Sequence, residues 1–277
     1  IKAIKKGSPD DRAVPRVLNY YGIGGIGKTT LLKKLMVEMR EKTSKPLFVH
    51  WDFKFSRERS DVLQSLKTKL EDKYKFTFPL FSLAMYAFMR KTGKPYESPE
   101  IKTLIDSSPF LKSVVGVMGE IPLFGLSANI LSAVDHMAAY GRNWFDRNKR
   151  DLFRIEGSED DTPDVVYDNL AYSFAKDMAN NLEAAEEPFV FFIDGYESLI
   201  DEKASTPLGE DEWLRGGKGR KGENCLIRNV PNALWVIAGA EKLRWSEKGS
   251  YWKEKLKQHL LGSLSKEDTL KFLSGVV

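Results

Sequence analysis

The chain has little on which a covalent or metal scaffold could be built. One cysteine in 277 residues, Cys225, excludes an internal disulfide framework, and three scattered histidines show none of the short spacings of metal ligands. Both facts suit a reducing cytosol, and a cytoplasmic location is expected. Charge of one sign is also lacking. Basic residues number 43 against 39 acidic ones, a net of +4 that a solvated mixed-sign surface explains without nucleic acid. No secretory leader, internal repeat or low-complexity tract is visible. Residue 1 is isoleucine, so the chain is expected to be an excised piece of a longer protein.

Long apolar runs are nearly absent. Ser113 to Val134 comes closest, with Glu120 its one formal charge. A charge at mid-bilayer costs about 2.5–3.5 kcal/mol on insertion scales, Pro122 breaks helical bonding, and Gly116, Gly119 and Gly125 interrupt the run. Buried or interface-forming helices are expected there, not a membrane span.

What is present is the alternation of short apolar strands with helical periodicity. Arg16–Tyr21 is a β-prone run that stops at Gly22, and Leu31, Leu32, Leu35, Met36 and Met39 then recur at helical spacing toward Ser44–Pro46. Leu47–Trp51 reads as a second strand. Val62, Leu63, Leu66 and Leu70 predict a helix over about 60–72. The stretch 73–150 is irregular, with aromatics from Phe76 to Phe88 and a Gly/Pro break at 93–99, and reads as an insertion. An acidic loop at 156–164 precedes Val166, Leu170, Phe174, Met178 and Leu182, which recur every four residues as one face of an amphipathic helix. Phe189–Ile193 and Leu234–Ala238 are apolar on both faces, as buried parallel strands are. Arg215–Gly222 reads as a solvated basic loop, and Ser265–Asp268 as a capping-box start to a last helix ending at Gly275.

The chemistry sits in Gly22-Ile-Gly-Gly-Ile-Gly-Lys-Thr29, a Gly-x4-Gly-Lys-Thr pattern between a predicted strand and helix. Its glycines let backbone N–H groups turn inward around phosphates, and the helix N-terminus adds a positive dipole end. Lys28 is expected to reach the β- and γ-phosphates, and the Thr29 hydroxyl to ligate Mg²⁺. The nucleotide-binding set is Gly22, Gly24, Gly25, Ile26, Gly27, Lys28, Thr29 and Thr30. Phe189–Asp194 is an apolar strand ending in aspartate, which delivers the Asp194 carboxylate to the sheet edge beside that Mg²⁺. Glu197 can lie next to it and orient or deprotonate a water. The plainer readings are a turn-forming Asp194-Gly195 pair and a surface Glu197. Asn148-Lys-Arg-Asp151 matches the NKxD guanine pattern, but it lacks a preceding buried strand and falls before the Asp194 strand, so it reads as chance.

With these motifs, the chain resembles the STAND class of signal-transduction NTPases, related to NACHT and NB-ARC switch modules. The resemblance rests on Gly22–Thr30, on 191–199, on Asp211–Leu214, on Trp235–Trp245 and on Gln258–Asp268. It implies an α/β fold: a P-loop NTPase three-layer sandwich whose five-stranded parallel sheet has the order 5-1-4-3-2. The domain would span 1–262 with a largely helical insertion at about 73–150, and 263–277 would begin a further helical segment. It also implies ATP or ADP as ligand with Mg²⁺, self-association on activation, and effector and sensor domains outside this chain. One departure stands out. Such proteins typically carry an arginine after the fourth strand that senses the γ-phosphate, and here Gly239 is followed by Ala240. Either Lys242 or Arg244 substitutes for it, or turnover is weak, or the residue was engineered. A small-molecule P-loop kinase and a binding-only scaffold are the alternative functions.

Overall fold

The computed structural model describes residues 16–41, 46–53, 58–135, 139–156, 163–185, 188–199, 211–216, 224–247, 251–262 and 270. Arg215, expected to open a solvated basic loop, is instead buried and ion-paired to Asp211 at 2.8 Å. The rest of that loop beyond Gly216, the acidic residues 157–162 and the last helix predicted after Ser265 lie outside the described residues, residue 270 excepted. The chain divides into two compact units, one comprising Ile1–Arg57, Glu187–Pro207 and Asn232–Val277, the other Glu58–Glu186 and Leu208–Pro231.

The first unit is built on five strands: β1 (Arg16–Tyr21), β2 (Leu47–Asp52), β3 (Phe189–Asp194), β4 (Ala233–Gly239) and β5 (Leu256–Leu260). All pair in parallel, in the order β2-β3-β4-β1-β5. This is the expected 5-1-4-3-2 arrangement counted from the opposite edge. The apolar strands take the middle: β3 is buried at all six positions, while β5, with Lys257, Gln258 and His259, lies at an edge where polar side chains meet water. Helix α1 (Lys28–Glu41) follows β1. Its Leu32, Met36 and Met39, spaced on one helical face, bury against Phe48, Val190, Phe192, Val236 and Ala238. Truncating Leu32 to alanine in such a core costs about 2–5 kcal/mol. On the other face of the pleat, Phe191 and Trp235 stack at 3.9 Å and 5°.

The second unit is helical: α2 (Arg59–Tyr74), α3 (Pro79–Lys91), α4 (Pro99–Asp106), α5 (Pro109–Met118), α6 (Leu126–Asp135), α7 (Ala139–Glu156), α8 (Pro163–Ala185), and the short α9 (Glu212–Arg215) and α10 (Leu226–Asn229). The stretch 73–150 is mostly helix, as the resemblance implies, although its residues taken alone read as irregular. The reason is burial without a face: every residue from Pro79 to Ala87 in α3 is buried, so no one-sided period is written into it. The apolar run 113–134 breaks at Gly119 and Gly125, both at positive φ, into α5 and α6. Among the described residues no helix is long and apolar enough to cross a membrane. Asn148 and Asp151 of the NKxD tetrad sit inside α7. There the Asn148 amide donates to the Trp144 carbonyl at 2.8 Å, and Asp151 accepts from the Tyr172 hydroxyl at 2.6 Å. Both residues are spent on helix packing.

Two helix N-termini are capped by carboxylates from other helices. Glu156 Oε2 accepts from the Ser127 N–H and hydroxyl at the start of α6. The Phe81 N–H donates at 2.8 Å to Asp177 Oδ2 at the start of α3, where Phe78 has no side chain able to cap. Asp177 is fully buried, and burial pushes its carboxyl well above the usual aspartate range, against the pull of those backbone N–H groups. Below the ordinary aspartate value, folded and unfolded states both hold the proton. As pH rises from there to the raised folded value, only the unfolded chain releases it, so stability falls across that window. Asp177→Asn removes the titration. The melting temperature of the wild type relative to this variant is expected to fall as pH rises from about 4, and a pH-independent difference in thermal unfolding would refute it.

Candidate functional site

The loop Gly22–Gly27 joins the carboxyl end of β1 to the first turn of α1. Its shape depends on glycine at particular places. A Cβ on Gly22 would lie 2.8 Å from the Leu261 carbonyl oxygen, and Gly25 and Gly27 hold φ of +80° and +97°. Gly24 faces open space. The Gly22 N–H donates to Gly239 O at 3.3 Å, the Ile26 N–H to Ile23 O at 3.4 Å, and the Leu31 N–H to Gly27 O at 2.8 Å. Ile23 at the loop's tip is 75% exposed and Ile26 half-buried. Lys28 curls back, its Nζ donating to the carbonyls of Gly22 at 2.8 Å and Ile23 at 3.0 Å. Thr29, half-buried, and Thr30, exposed, occupy the first turn of α1, where backbone N–H groups have no intrahelical partner.

Asp194 ends β3 and is 3% exposed. Its Oδ1 accepts from the Gly195 N–H at 2.9 Å, while the buried Oδ2 has no partner among the described residues. A buried carboxylate oxygen left unpaired is costly, so an oxygen so placed suits a cation or a bound donor. Only β4 separates β1 from β3. At a strand spacing of about 4.8 Å, Asp194 and the loop therefore leave the same sheet edge about 10 Å apart. Among the described residues no three His, Cys, Asp or Glu side chains gather as a metal cage. A site of the magnesium kind needs no such cage, since it takes one or two carboxylates and completes its shell with substrate phosphate and water. The orphaned Oδ2 of Asp194 suits such a shell.

The short turn Tyr196–Leu199 follows, with Tyr196 buried and Glu197 exposed. The structure brings Glu197 to Ala240, whose N–H donates to Glu197 Oε2 at 3.1 Å. Lys242 and Arg244 are exposed. Three residues to which the sequence reading gave no role stand at this edge or just behind it. Asp52 ends β2 in register with Asp194. Asn19, fully buried in β1, donates from Nδ2 to Gln258 Oε1 of β5 at 2.9 Å. Gln258 in turn bonds both backbone groups of Leu243. The available signal was Asn19 itself, a polar side chain on the same strand face as the buried Val17.

Gly22→Ala is expected to destabilise the protein by about 1–3 kcal/mol, because its methyl meets a backbone oxygen that cannot swing aside. Gly24→Ala is expected to stay within about 0.5 kcal/mol of the wild type. Chemical denaturation of the two variants checks this, and equal stabilities would refute the close approach at Gly22. Compared with known proteins, the chain matches no family model and no curated protein.

Proposed function

We propose that this chain is the nucleotide-dependent switch of a larger signalling protein: a P-loop ATPase of the STAND class, akin to NACHT and NB-ARC modules and built as their three-layer sandwich. The observation that carries the reading is the convergence of two features at one sheet edge. A loop whose glycines meet steric demands opens α1, and two strands away stands Asp194 with a buried, unpaired oxygen. Loop N–H groups and the α1 N-terminus receive the phosphates of ATP or ADP. The Lys28 ammonium exchanges the carbonyls of Gly22 and Ile23 for β- and γ-phosphate oxygens. Thr29 and Asp194 hold Mg²⁺, which screens phosphate charge. Glu197, with Oε2 fixed by Ala240, presents its other oxygen to the attacking water.

Turnover is slow in this reading. Ala240 brings no charge where members of this class place an arginine, and its N–H is already taken by Glu197. A charge-assisted contact is worth about 1.5–3 kcal/mol, so its loss slows hydrolysis by roughly one to two orders of magnitude. Such a slow clock suits a switch in the cytoplasm that controls self-association, with effector and sensor domains elsewhere in the protein and an output in antiphage defence or transcriptional regulation. The same Ala240 favours a second reading, a scaffold that holds ATP or ADP without splitting it. Phosphate release separates the two.

Lys28→Ala is expected to weaken ATP binding by about tenfold to a hundredfold, measured by titration calorimetry in the presence of Mg²⁺ with folding checked by circular dichroism. An unchanged dissociation constant would remove the site.

A further inference from the structure

The turn after β4 is fastened at both ends by side chains from elsewhere in the sheet unit, one in the turn after β3 and one on β5. At its start the Ala240 N–H donates to Glu197 Oε2 at 3.1 Å. At its end, Gln258 of β5 takes the Leu243 N–H on Oε1 at 2.8 Å and returns a bond from Nε2 to the Leu243 carbonyl at 3.0 Å. The primary amide thus copies one rung of a sheet ladder, serving a backbone donor and a backbone acceptor together. Between the two fastenings, Glu241 and Lys242 are exposed, and buried Leu243 anchors the far end.

Gln258 is itself held. Its Oε1 accepts a second bond, from Asn19 Nδ2 at 2.9 Å, and both residues occupy matched positions on paired strands. Asn19 is fully buried in β1, three residues before the phosphate loop opens at Gly22, and its Nδ2 also approaches the Glu241 carbonyl at 3.5 Å. Packing alone does not call for this pair. A leucine at 258 would fill the space but bond neither group of Leu243, and a glutamate would accept without donating. The arrangement requires an amide.

We infer that Gln258, braced by Asn19, is a positioning residue that fixes the turn 240–243 and, through the Ala240 N–H, the direction of the Glu197 carboxylate. This rests on the proposal that Glu197 orients water at a nucleotide bound to the Gly22–Thr29 loop. A turn freed at Leu243 lets Ala240 drift from Glu197, and misplacement of a catalytic group by a fraction of an ångström to one ångström costs rate more than binding.

The test measures phosphate release at saturating MgATP, ADP affinity by calorimetry, and thermal midpoint. It uses the wild type, Gln258→Leu and Gln258→Glu, and Gln258→Leu combined with Glu197→Ala. Gln258→Leu is expected to lower phosphate release about tenfold with ADP affinity held within about twofold. In the Glu197→Ala background the same change is expected to cost less than about twofold, because residues acting through one another are not additive. Gln258→Glu is expected to be slow near neutral pH and to recover toward the wild-type rate measured at the same pH as it falls below about 5, where a carboxyl with an ordinary value near 4.3 begins to hold the proton that donates to Leu243. A role in folding alone would move the midpoint and not this pH profile. Unchanged release by Gln258→Leu, or an equal loss with and without Glu197, overturns the inference while the nucleotide site stands. Nucleotide bound with no phosphate release in the wild type also overturns it and leaves a binding scaffold. Failure of the wild type to bind ATP or ADP removes the underlying reading as well.

Discussion

The carboxyl end of β1 is held from both sides, and the layout of the candidate site depends on that. The Gly22 N–H donates to Gly239 O at the end of β4, and Tyr21 O accepts from the Leu261 N–H just past β5. Parallel pairing makes this possible, since it delivers all carboxyl ends to one edge, where backbone groups run out of ladder partners and chain turns begin. The chain beyond β5 comes so near that only glycine fits at 22. The loop, the turn after β4 and the chain after β5 thus share one small region because the strand order puts β1 between β4 and β5.

Much of this was legible in the sequence, and the residues that were not share a cause. The apolar runs at 16–21, 47–51, 189–193 and 234–238 appear as β1 to β4 with ends shifted by a residue at most. Their central strands are buried on both faces, which leaves an unbroken apolar signature. β5 was not legible: Leu-Lys-Gln-His-Leu is an edge strand whose polar residues meet solvent, and no pattern separates it from a loop. The strand order followed from the resemblance carried by the motifs, since pairing between distant strands leaves no local mark. The loop and Asp194 stand out in the sequence because the chemistry proposed for them demands fixed residue types at fixed spacing. The bonds from Ala240 to Glu197 and from Asn19 to Gln258 join residues 43 and 239 positions apart, and only the folded chain reveals them.

The helical unit poses a different physical problem. A helix buried on every side, as α3 is from Pro79 to Ala87, has no amphipathic face to set its rotation about its own axis. Apolar packing tolerates many rotations of similar energy. Polar contacts do not. The Phe81 N–H must find Asp177 on α8, and Phe78 and Phe81 must pack stacked and edge-on against Phe174, one turn earlier on the same helix. A buried aspartate lowers stability across part of the pH range, yet it selects one docking of α3 on α8 among many that hydrophobicity alone would allow.

The alanine at 240 changes its meaning once its backbone is considered. In the proposed switch its side chain is a loss, because a methyl group cannot bond a phosphate. As a backbone unit it is a donor to Glu197, and that bond is indifferent to side chain so long as the residue is not proline. An exposed glutamate ordinarily samples many rotamers, and ordering one costs conformational entropy on the order of 1–2 kcal/mol. Fixing Oε2 on a backbone N–H meets part of that cost before any substrate arrives, provided the donor itself is stationary. The donor's own position is set 18 residues further along the chain, where Gln258 grips Leu243 from β5. Preorganisation at this edge therefore passes from the sheet to a side-chain amide, from the amide to a turn, and from the turn to a carboxylate. In that chain of contacts residue 240 contributes its peptide group.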